Sequence, residues 1–190
     1  PEGIEPVFVE PNLRASIGIQ GQADAPFGFT TTTVLNMVQA GVDMEDVTYF
    51  TMAQYGLEPY SSGIQVRRDF ADENPEVVRG FVDATIRGML DMFEDPDYGI
   101  ELLKAREPLI DVDVETARWY LAEELAILTP SVLERGISAV DQERYETAAR
   151  QVAAAFELDV DPVMSDYYDG DFLPPLDERQ IPAEVKARVQ

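Results

Sequence analysis

Aromatic and hydroxyl-bearing side chains are concentrated between residues 27 and 62, and such groups bind small ligands by stacking and hydrogen bonding. Phe27 and Phe29 lie two positions apart, so on an extended strand both rings face the same side. That side is either a shared core face or an aromatic wall that stacks a flat ligand. The pair is therefore a candidate for binding as well as for packing.

Thr30 and Thr31 open a run of four threonines ahead of a helix predicted over 34–40, which Gly41 ends. A threonine in this place caps a helix through its side-chain oxygen. Hydroxyls and free N–H groups at a helix start also bind ligand oxygen atoms. We expect at least one threonine to cap the helix and others to face a ligand.

Tyr55 and Tyr60 flank a turn that contains Gly56 and Pro59. Tyrosine combines an apolar ring with a polar tip, which suits the wall of a cleft. The alternative for each is an ordinary half-buried tyrosine. Both side chains are candidates for ligand binding.

The chain contains neither Cys nor His and only two lysines. This composition excludes thiol nucleophiles, imidazole bases and Cys/His zinc sites. No Lys or Arg lies between Arg14 and Arg67, whereas a bound anion calls for a fixed cation or many N–H donors. We therefore expect no catalytic group, metal or cofactor, and a neutral or amine-bearing aromatic ligand.

Acidic residues outnumber basic ones by 37 to 14, which gives a net charge of −23. Binding to nucleic acid or to anionic lipid is disfavoured, because both require a basic surface. The charge indicates either a well-solvated acidic surface or adaptation to a saline habitat. Apolar residues make up 45% of the chain, so a hydrophobic core is possible.

The elements that must position these side chains differ between the two parts of the chain. Residues 1–62 are predicted to alternate strands at 7–9 and 47–52 and an extended segment at 23–29 with helices at 11–20 and 34–40, which is an α/β pattern. Residues 63–190 are predicted to be mostly helical after a short strand at 64–66. Helix starts are predicted at Asn74-Pro75, Asp95-Pro96, Asp113, Thr129-Pro130 and Asp141. After Pro175 we expect a charged, mobile tail.

Several stretches resemble a known family in their order and spacing. They are 21–25 (GQADA), 27–30 (FGFT), 55–66 (YGLEPYSSGIQV), 74–84 (NPEVVRGFVDA) and 172–175 (FLPP). The family comprises the solute-binding proteins of ABC importers for nitrate, sulfonates, taurine and thiamine pyrimidine precursors, and the last subgroup is the most similar.

The resemblance implies an α/β fold of the type II periplasmic-binding-protein kind, with two lobes joined by a hinge. Residues 1–62 would form most of lobe two and residues 63–175 the returning, helix-rich part of lobe one, followed by the tail at 176–190. The resemblance also implies that the chain is truncated at its N-terminus, because the family's first lobe begins about a hundred residues earlier. It adds Ser61 to the candidate site. The predicted ligand-binding residues are then Phe27, Phe29, Thr30, Thr31, Tyr55, Tyr60 and Ser61.

The implied function is that of a monomeric binding protein, not an enzyme, that captures a thiamine pyrimidine precursor or a similar small aromatic amine between its lobes. Its partners would be the ABC permease transmembrane subunits, and its location periplasmic or extracellular, with a possible lipid anchor on the missing N-terminus. The alternatives are sulfonate, taurine or nitrate binding on the same fold, an enzyme like the related pyrimidine synthases, and a helical interaction protein.

Overall fold

The computed structural model describes residues 3–188 of the chain. Residues 1–2 of the first predicted lobe and 189–190 of the predicted tail lie outside this range. Side-chain caps begin the helices at 96–106, 112–122, 130–135 and 142–155. The α-helices are α1 Arg14–Ile19, α2 Thr30–Gln39, α3 Arg68–Glu73, α4 Pro75–Glu94, α5 Pro96–Arg106, α6 Val112–Ala122, α7 Pro130–Arg135, α8 Gln142–Ala155 and α9 Ala183–Lys186.

Four of the five predicted helix starts in the second part are confirmed. Proline occupies the first position of α4, α5 and α7, where its missing N–H is not needed. The Asp141 carboxylate accepts the N–H of Arg144 at 2.9 Å and so caps α8. The fifth start, at Asp113, is wrong by two residues: Asp111 is the cap of α6 and accepts the N–H of Asp113 at 3.0 Å.

The predicted strands at 7–9, 47–52 and 64–66 are wrong, because no β-strand occurs among residues 3–188. β-branched and aromatic residues favour an extended backbone, but a strand also needs a neighbour for its ladder of hydrogen bonds. The bonds near these segments are local, such as that from the Val47 N–H to the Met44 carbonyl at 3.2 Å. The α/β pattern is therefore not confirmed, whereas the helix-rich C-terminal half is. A further difference is α3, which the sequence did not predict.

The hydrophobic core lies in the C-terminal half and is organised by α4. Val78, Val82, Ile86 and Phe93 follow one face of this helix and are buried, with Phe93 fully inaccessible to solvent. Trp119 of α6 packs against Phe93, with ring centroids 5.3 Å apart. Burying a side chain such as Phe93 contributes about 1.5–3 kcal/mol.

The segment after Pro175 packs into this core, contrary to the expected mobile tail. Val185 has no exposed surface and Ile181 is 3% exposed. The guanidinium of Arg179 donates to the carbonyls of Arg135 at 2.7 Å and Ile137 at 3.2 Å, which ties the segment to the end of α7. The segment is charged, but its few apolar residues supply buried surface that the core lacks without them.

Packing also connects the two halves of the chain. α1 contacts α2, α2 contacts α6, and α6 contacts α5, which lies against α4. Residues 3–67 nevertheless bury only Ala15 and Val34, so most of their aromatic side chains face solvent. The N-terminal half therefore rests on the helical half and has no comparable core of its own.

Candidate ligand-binding site

The first four predicted binding residues lie together where the chain enters α2. Phe27 and Phe29 are 68% and 70% exposed, and Thr30 and Thr31 begin the helix with partly buried side chains. The capping prediction is wrong: Phe29 is the N-terminal cap residue, and no side chain caps the helix. The Phe29 carbonyl instead accepts the N–H groups of Thr32 and Thr33 at 3.0 and 2.8 Å.

Gly28, between the two phenylalanines, lies very close to the first turn of α2. A Cβ atom at this position would lie 2.2 Å from the Thr33 hydroxyl oxygen. The absence of a side chain therefore allows the loop to fold against the first turn of α2. The contact between Gly28 and Thr33 therefore positions the backbone of Phe27 and Phe29.

Two arginines from other elements reach this first group. Arg14 of α1 donates from its guanidinium to the Phe27 carbonyl at 3.0 Å, and Arg118 of α6 donates to the Thr31 carbonyl. Glu115 holds Arg118 through an ion pair of 3.0 Å. The stretch between Arg14 and Arg67 contains no cation, but tertiary packing brings Arg118 to Thr31 from far along the chain.

The second group begins with Tyr55, the last residue of the 3-10 turn Met52–Tyr55, which Gly56 ends with a φ of +79°. Tyr55 is 72% exposed and meets Phe50 edge to face, with centroids 6.3 Å apart. Ser61 is exposed. In contrast, Tyr60 is half-buried, because its ring is packed against α8.

Three polar contacts fasten the 56–60 turn to α8. The Tyr60 hydroxyl accepts the Asp141 N–H at 2.8 Å, and the Arg144 guanidinium donates to the Glu58 carbonyl at 2.9 Å. Gln151, two turns further along α8, donates to the Gly56 carbonyl at 3.0 Å. Arg144 also lies over the Tyr60 ring, 4.3 Å from its centroid, which is a cation–π distance.

Two clefts open on either side of this Tyr60–Arg144 contact and share Ala148 of α8. The acidic cleft has a volume of about 320 Å³, and its polar lining comprises Glu58, Asp141, Glu143, Arg144, Thr147 and Gln151. The apolar cleft has a volume of about 300 Å³, and its lining includes Tyr60, Tyr145, Ala149, Val152, Val160 and Tyr167.

Hydrogen bonds at α8 lower the pKa of two acids, Asp141 and Glu146. The N–H of Arg144 holds the pKa of Asp141 below its ordinary value, with a further contribution from the Arg135 guanidinium 2.9 Å away. Hydrogen bonds from Gln142 and from the Met164 N–H lower the pKa of Glu146. Burial raises the pKa of Tyr168, whose hydroxyl donates to the Ser138 carbonyl at 3.0 Å.

The seven predicted residues thus form two groups. Within residues 3–188, no hydrogen bond or ring contact joins the group at 27–31 to the group at 55–61. Of the seven, only Tyr60 lines either of the clefts just described. Their role in binding stays a prediction.

Sequence reasoning missed the α8 side of the second group. Arg144, Tyr145, Val152 and Tyr167 are not among the seven predicted residues. Val152 is 44% exposed, whereas Ala148 and Ala153 on the same helix are buried. No short motif links these residues to the turn at 56–60.

Among residues 3–188, no group of three or more acidic side chains is arranged to hold a metal ion. No helix in this range is both long and apolar enough to cross a membrane.

Comparison with known proteins gives one match. A family model described as "NMT1/THI5 like" matches residues 2–98, which is half of the chain and includes all seven candidate residues. No curated protein and no solved structure matches the chain.

Proposed function

The chain belongs to the NMT1/THI5-like family, and on this premise we propose that it is the solute-binding component of an ABC importer. The family match over residues 2–98 carries this proposal, because the family's members are mostly binding proteins for small solutes. The function is capture of a solute outside the cytoplasm and its delivery to the transmembrane subunits of a permease. The chain acts as a monomer and performs no catalysis.

The solute of this proposal is a thiamine pyrimidine precursor or a similar small aromatic amine. Phe27 and Phe29 stack on its ring, and Thr30, Thr31, Tyr55, Tyr60 and Ser61 bond its polar edge. Two rings that are each about 70% exposed enclose too little of a ligand for tight binding. A small-molecule site covers most of its ligand, so closure of a facing lobe completes this one.

Anion binding is the second candidate, and the two arginines favour it. Arg14 and Arg118 contact the backbone of Phe27 and Thr31, so a cation needs only a side-chain rotation to reach a bound sulfonate or nitrate. A pyrimidine synthase is the enzymatic alternative within the family. The chain would have to perform such chemistry without His or Cys, which weighs against it.

A thermal-shift screen tests the proposal directly. The panel contains aminopyrimidines, flavin precursors, taurine, alkanesulfonates and nitrate, each at about a hundredfold excess over a micromolar Kd. A ligand that binds only the folded state stabilises it by about 2.7 kcal/mol at that excess. A shift with aminopyrimidines alone supports the first candidate, and a shift with sulfonates or nitrate alone supports the second.

A matched pair of variants locates the site. Phe29→Ala should abolish most of the shift, whereas Phe81→Ala should preserve it, because Phe81 is similarly exposed but lies on α4. A folded protein that responds to no member of the panel would contradict the solute-binding proposal.

A further inference from the structure

The segment after Pro175 is attached to the helical core much more firmly in its first part than in its last. Residues 176–181 are called the inner half of this segment, and residues 183–188 its outer half. We infer that the outer half is a strap that opens and closes over a buried carboxylate, Glu123, while the inner half stays in place. This inference does not depend on the solute proposed above.

Arg179 anchors the inner half through contacts with distant residues. Its guanidinium donates to the Arg135 carbonyl at 2.7 Å and to the Ile137 carbonyl at 3.2 Å, and its own carbonyl accepts the Ile137 N–H at 2.9 Å. The backbones approach so closely that a Cβ atom at Gly136 would lie 2.9 Å from the Arg179 carbonyl oxygen. Short hydrogen bonds, and a space that only glycine fits, therefore fix the inner half.

The outer half has much weaker attachments. The backbone hydrogen bonds that the structure describes for it lie within residues 182–188, so they hold α9 together without tying it to the core. Val185 is the one buried residue of the outer half. Arg188 reaches other elements, at 3.4 Å from the Phe93 carbonyl and 3.7 Å from a Glu123 carboxylate oxygen, and both distances are long. A segment with so few contacts opens locally without unfolding of the core.

Glu123 lies beside the outer half and lacks the partners that a buried carboxylate needs. Its side chain is 6% exposed, one oxygen lies 3.7 Å from Arg188, and the other has no hydrogen-bond partner within residues 3–188. One turn earlier on α6, the indole N–H of Trp119 is buried and also lacks a partner. Trp119 packs against Phe93, whose carbonyl contacts the outer half. Closure of the strap thus leaves two polar groups unsatisfied that water reaches when it opens.

Two opposing effects act on the strap. Burial of Val185 favours the closed state. The Glu123 carboxylate favours the open state, because it loses its hydration on burial, and Arg188, 42% exposed and 3.7 Å away, compensates only in part. Glu123 therefore promotes opening and Arg188 opposes it, so replacing these two partners of one ion pair should have opposite effects.

Native-state amide hydrogen exchange of the full chain measures the two halves separately. The Ile137 amide reports the inner half, because it bonds to the Arg179 carbonyl, and the amides of Lys186 and Ala187 report the outer half. In the wild-type protein the outer amides should be about tenfold or more less protected than Ile137. Acrylamide quenching of Trp119, the sole tryptophan, is a second measure, because opening exposes the indole.

Two variants test the roles of the ion-pair partners. Glu123→Met removes the buried charge at similar volume and should raise the protection of the outer amides by about tenfold and reduce the quenching. Arg188→Gln removes the cation and should lower that protection by about threefold. The controls are Glu124→Met, at the exposed neighbouring position, and Lys186→Gln on α9. Both controls, and the Ile137 amide in every variant, should stay close to wild type.

Three results would overturn the inference. The first is equal protection of the two halves in the wild-type protein. The second is a shift in the same direction in Glu123→Met and Arg188→Gln, which an ordinary stabilising ion pair would produce. The third is an effect of Glu124→Met as large as that of Glu123→Met. If Glu123→Met does not fold, Arg188→Gln decides alone, since unchanged or raised protection of the outer amides in that variant contradicts the inference.

Discussion

Arg144 of α8 lies over the ring of Tyr60, with its guanidinium carbon 4.3 Å from the ring centroid, while the Tyr60 hydroxyl accepts the N–H of Asp141 at 2.8 Å. One tyrosine thus uses both its face and its tip to hold the 56–60 turn on α8. The contact joins the family-matched part of the chain to the C-terminal helices beyond residue 98.

Removal of the Tyr60 hydroxyl should destabilise the protein. Tyr60→Phe keeps the ring beneath Arg144 but leaves the partly buried Asp141 N–H without an acceptor. A lost hydrogen bond of this kind costs about 1 kcal/mol. Urea unfolding measures the change, and Tyr98→Phe on the exposed face of α5 should leave the midpoint unaltered. Equal midpoints for Tyr60→Phe and wild type would refute the contribution of this bond.

The Asp141 carboxylate should make stability sensitive to acid. Its pKa is lowered in the folded state, first by the Arg144 N–H and then by Arg135, so its contribution is present above the ordinary pKa of 3.8. The contribution is lost as the pH falls through the lower folded pKa. Asp141→Asn retains a helix cap but removes the charge.

The expected result is a difference between wild type and Asp141→Asn that is largest near neutral pH and disappears in strong acid. Urea midpoints at pH 7, 5, 4 and 3 measure this difference. Asp97→Asn is the control, because Asp97 is exposed and lies in the first turn of a different helix, α5. A difference that grows as the pH falls would reverse the assigned sign.

Helices were predictable from the sequence because their signals are local. Asp141 and the three prolines at helix starts act on backbone groups within one helical turn. A short stretch of sequence therefore contains the whole signal. Strand formation at 7–9 or 47–52 depends on a partner segment that local residues do not specify. The same reason explains the tail, since Val185 is buried only because distant residues leave a space for it.

The candidate site likewise combines a part that neighbouring residues predict with contacts that they do not. Tyr60 was identified from its turn, but its partners on α8 lie more than eighty residues later and no short motif links them. The hydrogen bond from Arg118 to the Thr31 carbonyl also joins residues that are far apart in the sequence. Aromatic clusters can thus be found from spacing, whereas the charges that set their ligand preference come from tertiary packing.

Val185 should contribute to the core although it lies near the C-terminus. Val185→Ala removes two carbon atoms from a fully buried side chain and should cost about 2 kcal/mol in transfer and cavity terms. Val77→Ala, at a 59% exposed position of α4, should cost less than about 0.5 kcal/mol. Urea unfolding compares the two, and equal costs would show that the segment after Pro175 does not share the core.

Added salt should stabilise the protein, because a net charge of −23 repels itself and the ion pairs within residues 3–188 engage only eight acidic side chains. Screening shortens the range of repulsion to about 10 Å at 0.1 M and 3 Å at 1 M. A gain of about 1 kcal/mol would raise Tm by roughly 2–4 °C for a chain of this length. Thermal unfolding in a NaCl series measures the effect, which should flatten above about 0.5 M. Sucrose is the uncharged control, because it stabilises through exclusion and shows no such plateau. A Tm that falls with NaCl would mean that ion pairs outweigh the repulsion.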